Sequence, residues 1–309
     1  MIRFNSFFVI ALVWEHCADA RTATGGTLIR RTLTFPATLV LLLSFPTLCS
    51  AGSYTVTDLR FPGATGSVAT GINASGQVVG YSQLLGDDGY QYPHAFMYDG
   101  AMHDLGTLGG AGSAANGINA SGQVVGSSGS LLLGNDGYPV THAFMYDGTM
   151  HDLGTLGGTN SFANGVNDSG QITGSAFPGG DSLSDAFLYD GIMHDLRPLG
   201  QIGGGSRGLG INASGQVVGI SHFANQSSHG YLYDSVLGMV DLNSLIDPAT
   251  GWLLSTPRAI NDVGQIAGNG QLDGEARAFL LTPTPEPSTL ALAMLGFVGL
   301  AAWRWCKRR

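Results

Sequence analysis

The chain has 309 residues, of which 44% are apolar, only 11% are charged and 48 are glycine. Ordinary domains carry ~25% charge and ~7% Gly, so a coiled coil and charge-driven disorder are excluded, and the lack of a three-residue glycine period excludes collagen. A wholly helical fold is disfavoured because each interior Gly costs ~1 kcal/mol, which leaves short strands joined by tight turns.

Residues 1–51 read as an export region. In LIRRTLTFPATLVLLLSFPTLCSA, residues 28–51, Arg30 and Arg31 precede a short apolar core from Thr38 to Leu48. Cys49-Ser50-Ala51 then offers the small-x-small pattern cut by signal peptidase, with cleavage expected after Ala51. Residues 1–27 hold a second apolar run, Phe7 to Trp14, so initiation is expected near Leu28, with an N-terminal membrane anchor as the alternative.

From Gly52 to Pro285 there are five arginines, Arg60, Arg197, Arg207, Arg258 and Arg277, against 19 acidic residues, a net charge of −14. Nothing there could replace the counterions of a phosphate backbone, so nucleic acid is excluded as a partner. This body also has no cysteine, since Cys17 and Cys49 precede the expected cut and Cys306 follows the body. Disulfide and thiol chemistry are therefore absent from it.

The body repeats. GINASGQVVG starts at Gly71, Gly117 and Gly210, with GVNDSGQITG at Gly165 and AINDVGQIAG at Ala259. The spacings are 46, 48, 45 and 49 residues. A second motif follows each: HAFMYDG at His94 and His142, DAFLYDG at Asp185, GYLYDS at Gly230 and RAFLL at Arg277. A third is MHDLGTLGG at Met102 and Met150, MHDLRPLG at Met193 and MVDLNSL at Met239. In Asn-Ala-Ser-Gly-Gln the Asn makes an Asx turn and the Gly takes the left-handed position, so strands one and two form a hairpin. Asp-Gly at 99–100, 147–148 and 190–191 joins strands three and four in the same way. Each unit is then four antiparallel strands in ~47 residues, the size of a propeller blade. The repeats over residues 54–282 resemble the HAF repeat family of extracellular bacterial proteins, though only two copies keep the whole His-Ala-Phe.

The expected fold is all-β: a five-bladed β-propeller over residues 52–282, with an open β-solenoid as the alternative. The last copy lacks a fourth strand after RAFLL, while Tyr54 to Leu59 aligns with that strand motif. These residues are therefore expected to clasp the ring shut, removing open sheet edges.

Candidate chemistry is sparse. His94 and His142 share one repeat position, with Asp185, Gly230 and Arg277 replacing them; His103, His151 and His194 share another. Residues that recur with the fold usually serve it, so a metal ring is the lesser reading. The repeated acids Asp104, Asp152, Asp195 and Asp241 are expected to anchor loops. Asp87, Asp88, Asp136, Asp181 and Asp273 break the pattern and read as turn residues. They could hold Ca²⁺ weakly; no other cofactor is implied. Neither a nucleophile elbow nor a phosphate loop is present.

Pro283, Pro285 and Pro287 make 283–288 a stiff linker. Thr289 to Trp303 is an uncharged, mostly apolar run, about 22 Å long as a helix, short of a ~30 Å hydrocarbon core but able to span with thinning and snorkelling. Arg304, Lys307, Arg308 and Arg309 follow and hold that end cytoplasmic. The order Pro285-Glu286-Pro287, apolar helix, basic end resembles a PEP-CTERM sorting tail. That resemblance implies an exosortase-type membrane enzyme as partner. The expected protein is exported, transiently anchored through 289–309, and acts as a binding or structural module at the cell surface or in an exopolysaccharide matrix. A polysaccharide hydrolase or lyase is the alternative.

Overall fold

A computed structural model describes residues 55–284, apart from 135–136, 181–182, 200–203, 224 and 226. The chain divides into two compact units, Met1–Thr55 and Val56–Arg309, and every strand described belongs to the second. The signal region, the Pro-Glu-Pro motif and the expected span at 289–303 lie outside the described residues. Among the described residues no helix is long and apolar enough to cross a membrane.

The unit is all-β, and its sheets follow the repeats one for one. Sheet 1 comprises β1 (Ser67–Ile72), β2 (Val78–Leu85), β3 (Gln91–Tyr98) and β4 (Met102–Asp104). Sheet 2 comprises β5 (Gly109–Ile118), β6 (Val124–Leu133), β7 (Pro139–Tyr146) and β8 (Met150–Asp152). Sheet 3 comprises β9 (Gly157–Val166), β10 (Ile172–Pro178), β11 (Asp185–Tyr189) and β12 (Met193–Asp195). Sheet 4 comprises β13 (Ser206–Ile211), β14 (Val217–His222), β15 (Ser228–Asp234) and β16 (Gly238–Asp241). Sheet 5 holds β17 (Trp252–Ile260), β18 (Ile266–Leu272) and β19 (Glu275–Leu281). All pairs are antiparallel and run in chain order. Two short 3₁₀ turns, Leu242–Leu245 and Pro248–Thr250, link sheets 4 and 5.

The first hairpin of each sheet is built as its sequence requires. Asn119 Oδ1 accepts from the Gln123 amide at 2.9 Å, and the Gly122 amide donates to the Asn119 carbonyl at 3.1 Å. Gly122 sits at φ +83°, where a side chain would be strained. The glycine of the second strand has a different task. A Cβ on Gly174 would lie 1.9 Å from the Phe162 carbonyl oxygen and 2.8 Å from the Phe187 ring. The aromatic of the second motif rests on that bare backbone, so only Gly fits.

The first strand also carries a bulge, at Thr70, Asn116, Asn164, Leu209 and Arg258. A bulge re-aims the extra side chain. Here it aims Thr70, Asn116 and Asn164 at the following sheet, where they donate to the carbonyls of Ala115, Ala163 and Gly208 at 2.7–2.8 Å.

The core lies between sheets. Val79, Ala95 and Leu105 of sheet 1 meet Ala115, Val124 and Phe144 of sheet 2. Equivalent residues seal the next three junctions. Each buried Val, Leu or Phe contributes ~1.5–3 kcal/mol.

The expected clasp does not form. Residues 55–60 belong to no strand, Val56 is 97% exposed, and sheet 5 keeps three strands. The face of sheet 1 turned away from sheet 2 is likewise bare. Ile72 is 69% exposed, and Ala69 is exposed where its counterparts Ala115 and Ala163 are fully buried. Four apolar clusters join five consecutive sheets, and among the described residues none joins the fifth to the first. The physical reason is that Val56 to Leu59 brings few apolar groups to an edge that has no second face packed behind it.

Candidate functional site

The recurring polar residues form a scaffold. Each turn Asn also donates its Nδ2 to the next turn Asn carbonyl, Asn73 to Asn119, Asn119 to Asn167, Asn167 to Asn212 and Asn212 to Asn261, at 2.9–3.2 Å. A serine adds a second stitch. Ser113, Ser161 and Ser206 Oγ accept from the amides of Ala95, Ala143 and Ala186 in the preceding sheet, at 2.8–3.0 Å.

The histidines pair with aspartates. His103, His151 and His194 Nε2 lie 2.8 Å from Asp99, Asp147 and Asp190, pinning the Asp-Gly turns. These bonds hold the Asp99 and Asp147 carboxyls below the usual carboxylate range. His94 and His142 Nδ1 lie 3.0 and 2.8 Å from Asp104 and Asp152. A third member of that set is His229, 2.6 Å from Asp241. The motif alignment at Gly230 is therefore off by one: His229, not Gly230, occupies the His94 position. Oδ1 of Asp104, Asp152, Asp195 and Asp241 also accepts a loop amide two residues on, at 2.8–2.9 Å, which anchors the turn as expected.

In sheet 3 the pair becomes two acids. Asp185 stands at the His142 position facing Asp195, and its pKa is pushed up to about 6 by burial and by the Asp195 charge. Among the described residues no three or more His, Cys, Asp or Glu converge on a metal position.

What departs from the repeat lies at one end of sheets 1 to 3. The hairpins of sheets 1 and 2 are extended by LLGDDGY (84–90) and LLGNDGY (132–138), which expose Leu85, Tyr90, Leu131, Leu132, Leu133 and Tyr138. In the first arm Asp88 accepts from the Tyr92 hydroxyl at 2.6 Å and the Tyr90 amide at 3.0 Å, and these bonds lower its pKa and raise that of Tyr92. Asp88 is thus a turn acid, as expected, and Asp273 also sits in a turn at φ +51°. Asp136 and Asp181 lie outside the described residues.

Two clefts open beneath the arms. One, about 300 Å³, lies between sheets 1 and 2 against Tyr92, Pro93, Pro139 and Thr141. The other, about 260 Å³, lies between sheets 2 and 3 against Leu132, Leu133, His142, Thr155 and Thr159. Apolar arms above hydroxyl, imidazole and backbone groups suit a ligand with alternating apolar and hydroxylated faces. The repeat reading singled out His142 but not the cleft; the signal was the leucine and tyrosine content of two loops that the other copies lack.

Residues 283–309 match the PEP-CTERM protein-sorting motif. The C-terminus therefore carries that sorting motif, and the matched span includes Pro285, Glu286 and Pro287 and the basic residues Arg304, Lys307, Arg308 and Arg309. No curated protein matches the chain. Among solved structures, a gluconolactonase from Xanthomonas campestris shares 13% identity, with a TM-score of 0.37 over 69% of this chain and 70% of that one. A six-bladed β-propeller lectin from the fungus Aleuria aurantia shares 14% identity, with a TM-score of 0.36 over 72% of this chain and 79% of that one.

Proposed function

We propose that this is an exported, exosortase-processed surface protein whose HAF-type repeat array binds polysaccharide through the arms and clefts of sheets 1 to 3. The carrying observation is that the sorting motif and an amphipathic cleft surface occur on one chain. The Ala51 cut and the 289–303 span would deliver the array to the outer side of the membrane. Tyr90 and Tyr138 would stack on sugar rings, while His142, Thr155 and backbone amides would meet hydroxyls. The acidic body favours neutral or cation-bridged glycans, because an anionic polymer would meet like charge.

Glycan-array binding with a parallel product assay tests this reading. Retention of a polysaccharide without product is expected, with Tyr90→Ala plus Tyr138→Ala weakening it about tenfold or more, the scale of two ring contacts at ~0.5–1.5 kcal/mol each. Binding unchanged in that variant would overturn the assignment. The competing reading, a hydrolase or lyase, rests on Asp185, whose raised pKa suits a proton donor. Product formation lost in Asp185→Asn would establish it instead.

A further inference from the structure

We infer that residues 56–59 of a second copy of this chain complete sheet 5, so that copies join head to tail through the junction already made four times within each copy. The register carries the first step. Counting back 46 residues from sheet 2, Ser113 falls on Ser67, Leu105 on Leu59, Asp104 on Asp58 and Met102 on Val56, with no gap. Residues 56–59 thus match a fourth strand and its anchor, placed ahead of sheet 1 with no earlier sheet among the described residues to join.

Sheet 5 shows the matching absence. In sheets 2, 3 and 4 the fourth-strand methionines Met150, Met193 and Met239 pack against the aromatics of the third strand. In sheet 5 that place is an apolar slot of about 210 Å³ lined by Trp252, Leu254, Phe279 and Leu281, beside the open edge of β19. Val56 is the counterpart of those methionines and stands almost fully exposed. The charges match as well. Arg277 occupies the His142 position and Asp58 the Asp152 position, so seating the strand would pair them. In the free chain each is exposed and turns instead to a local neighbour, Asp58 to Arg60 at 3.2 Å and Arg277 to Glu275.

The remaining stitches are present on the two bare faces. Ser67 Oγ is set to accept from the exposed Ala278 amide, as Ser113 accepts from Ala95. The Asn73 carbonyl is set to accept from Asn261 Nδ2, which donates to Gln265 within its own turn. The chain's own residues 56–59 are not seated in the structure. A second copy can seat without any shift of the five sheets, whereas closure within one chain would have to bring its two end faces together. A head-to-tail contact of this kind either closes a ring of copies or runs on as a filament.

The body's lack of cysteine makes the test clean. In the full chain with Cys17, Cys49 and Cys306 changed to Ser, the register pairs Thr57 with Leu280, both exposed, as His151 pairs with Met145. Facing strand residues lie ~4.5–5.5 Å apart, within disulfide reach. Chains carrying Thr57→Cys or Leu280→Cys alone are mixed in mild detergent and oxidised. A disulfide-linked heterodimer is expected well above the yield from Thr57→Cys mixed with the equally exposed Leu85→Cys. A chain carrying both cysteines should give a ladder of multimers. Asp58→Arg should lower the yield about threefold, the scale of one exposed ion pair, and Arg277→Asp on the partner should restore it. A doubly substituted chain that links only within itself would overturn the inference in favour of a closed single-chain ring. Failure of any link above the Leu85→Cys control would overturn it outright.

Discussion

At the level of single residues, the repeat supplies its own controls. Phe occupies the core position of the second motif in four copies, but sheet 4 has Tyr231, fully buried with its hydroxyl unpartnered among the described residues. Burial drives that hydroxyl far above its ordinary pKa. An unmet buried hydroxyl costs ~1–3 kcal/mol, so Tyr231→Phe should raise stability by about 1 kcal/mol in a denaturant titration. Gly174→Ala should do the reverse. The new methyl would collide with a carbonyl and an aromatic ring, and a loss of about 2–3 kcal/mol is expected.

Asp185 sets a pH dependence of unusual sign. Its folded pKa is raised from 3.8 to about 6, so the native state holds this proton more firmly than the unfolded chain. The stabilising effect is therefore full below about pH 4 and lost as pH climbs through 6. Asp99 and Asp147 are shifted down and act oppositely, losing their contribution as pH falls through their folded values. Asp185→His would restore the pairing seen at His142 and Asp152. Melting followed from pH 4 to 7 should show the parent losing ground to this variant as pH rises. Parallel curves would mean that burial and the Asp195 charge do not raise the Asp185 pKa.

At the level of elements, the hairpins were legible because turn chemistry is local. Asn, Gly and Asp-Gly fix backbone angles within four residues, so strand order could be read from spacing alone. The links between sheets were not legible. The Asn ladder joins positions 45–49 residues apart, and a single sequence shows the Asn only as a turn former. The same limit hid His229, where Gly replaces Ala in the motif and shifts the apparent alignment. The ladder gives a graded prediction. Asn167→Ala removes three turn bonds and a cross-sheet bond in a buried setting and should cost about 2 kcal/mol or more, by chemical denaturation. In a single copy Asn261→Ala removes the three turn bonds alone, so about 1 kcal/mol is expected. Equal losses would show that the cross-sheet bond contributes nothing.

At the level of the whole molecule, composition had foretold strands and turns, and the sheets follow the repeats one for one. Ring closure was the expectation that failed. The motif count showed correctly that one fourth strand is missing and one is spare, but counting cannot say whether the two belong to the same copy. Distribution of charge has a local account. Most of the repeated aspartates in the −14 body hold imidazoles or loop amides. Those acids are therefore engaged in the scaffold, and the candidate binding surface is defined by leucines, tyrosines and one histidine.

The stitched junction has a consequence for how such a chain can change length. All four seams carry the same turn asparagine on the outgoing side and the same carbonyl on the incoming side, and the first three add an outgoing amide bonded to an incoming serine. A duplicated segment of one repeat, inserted between two existing ones, meets on both flanks the chemistry it already fits. Lineages can therefore lengthen or shorten the array by whole units through unequal recombination, while the C-terminal sorting motif is carried along unaltered.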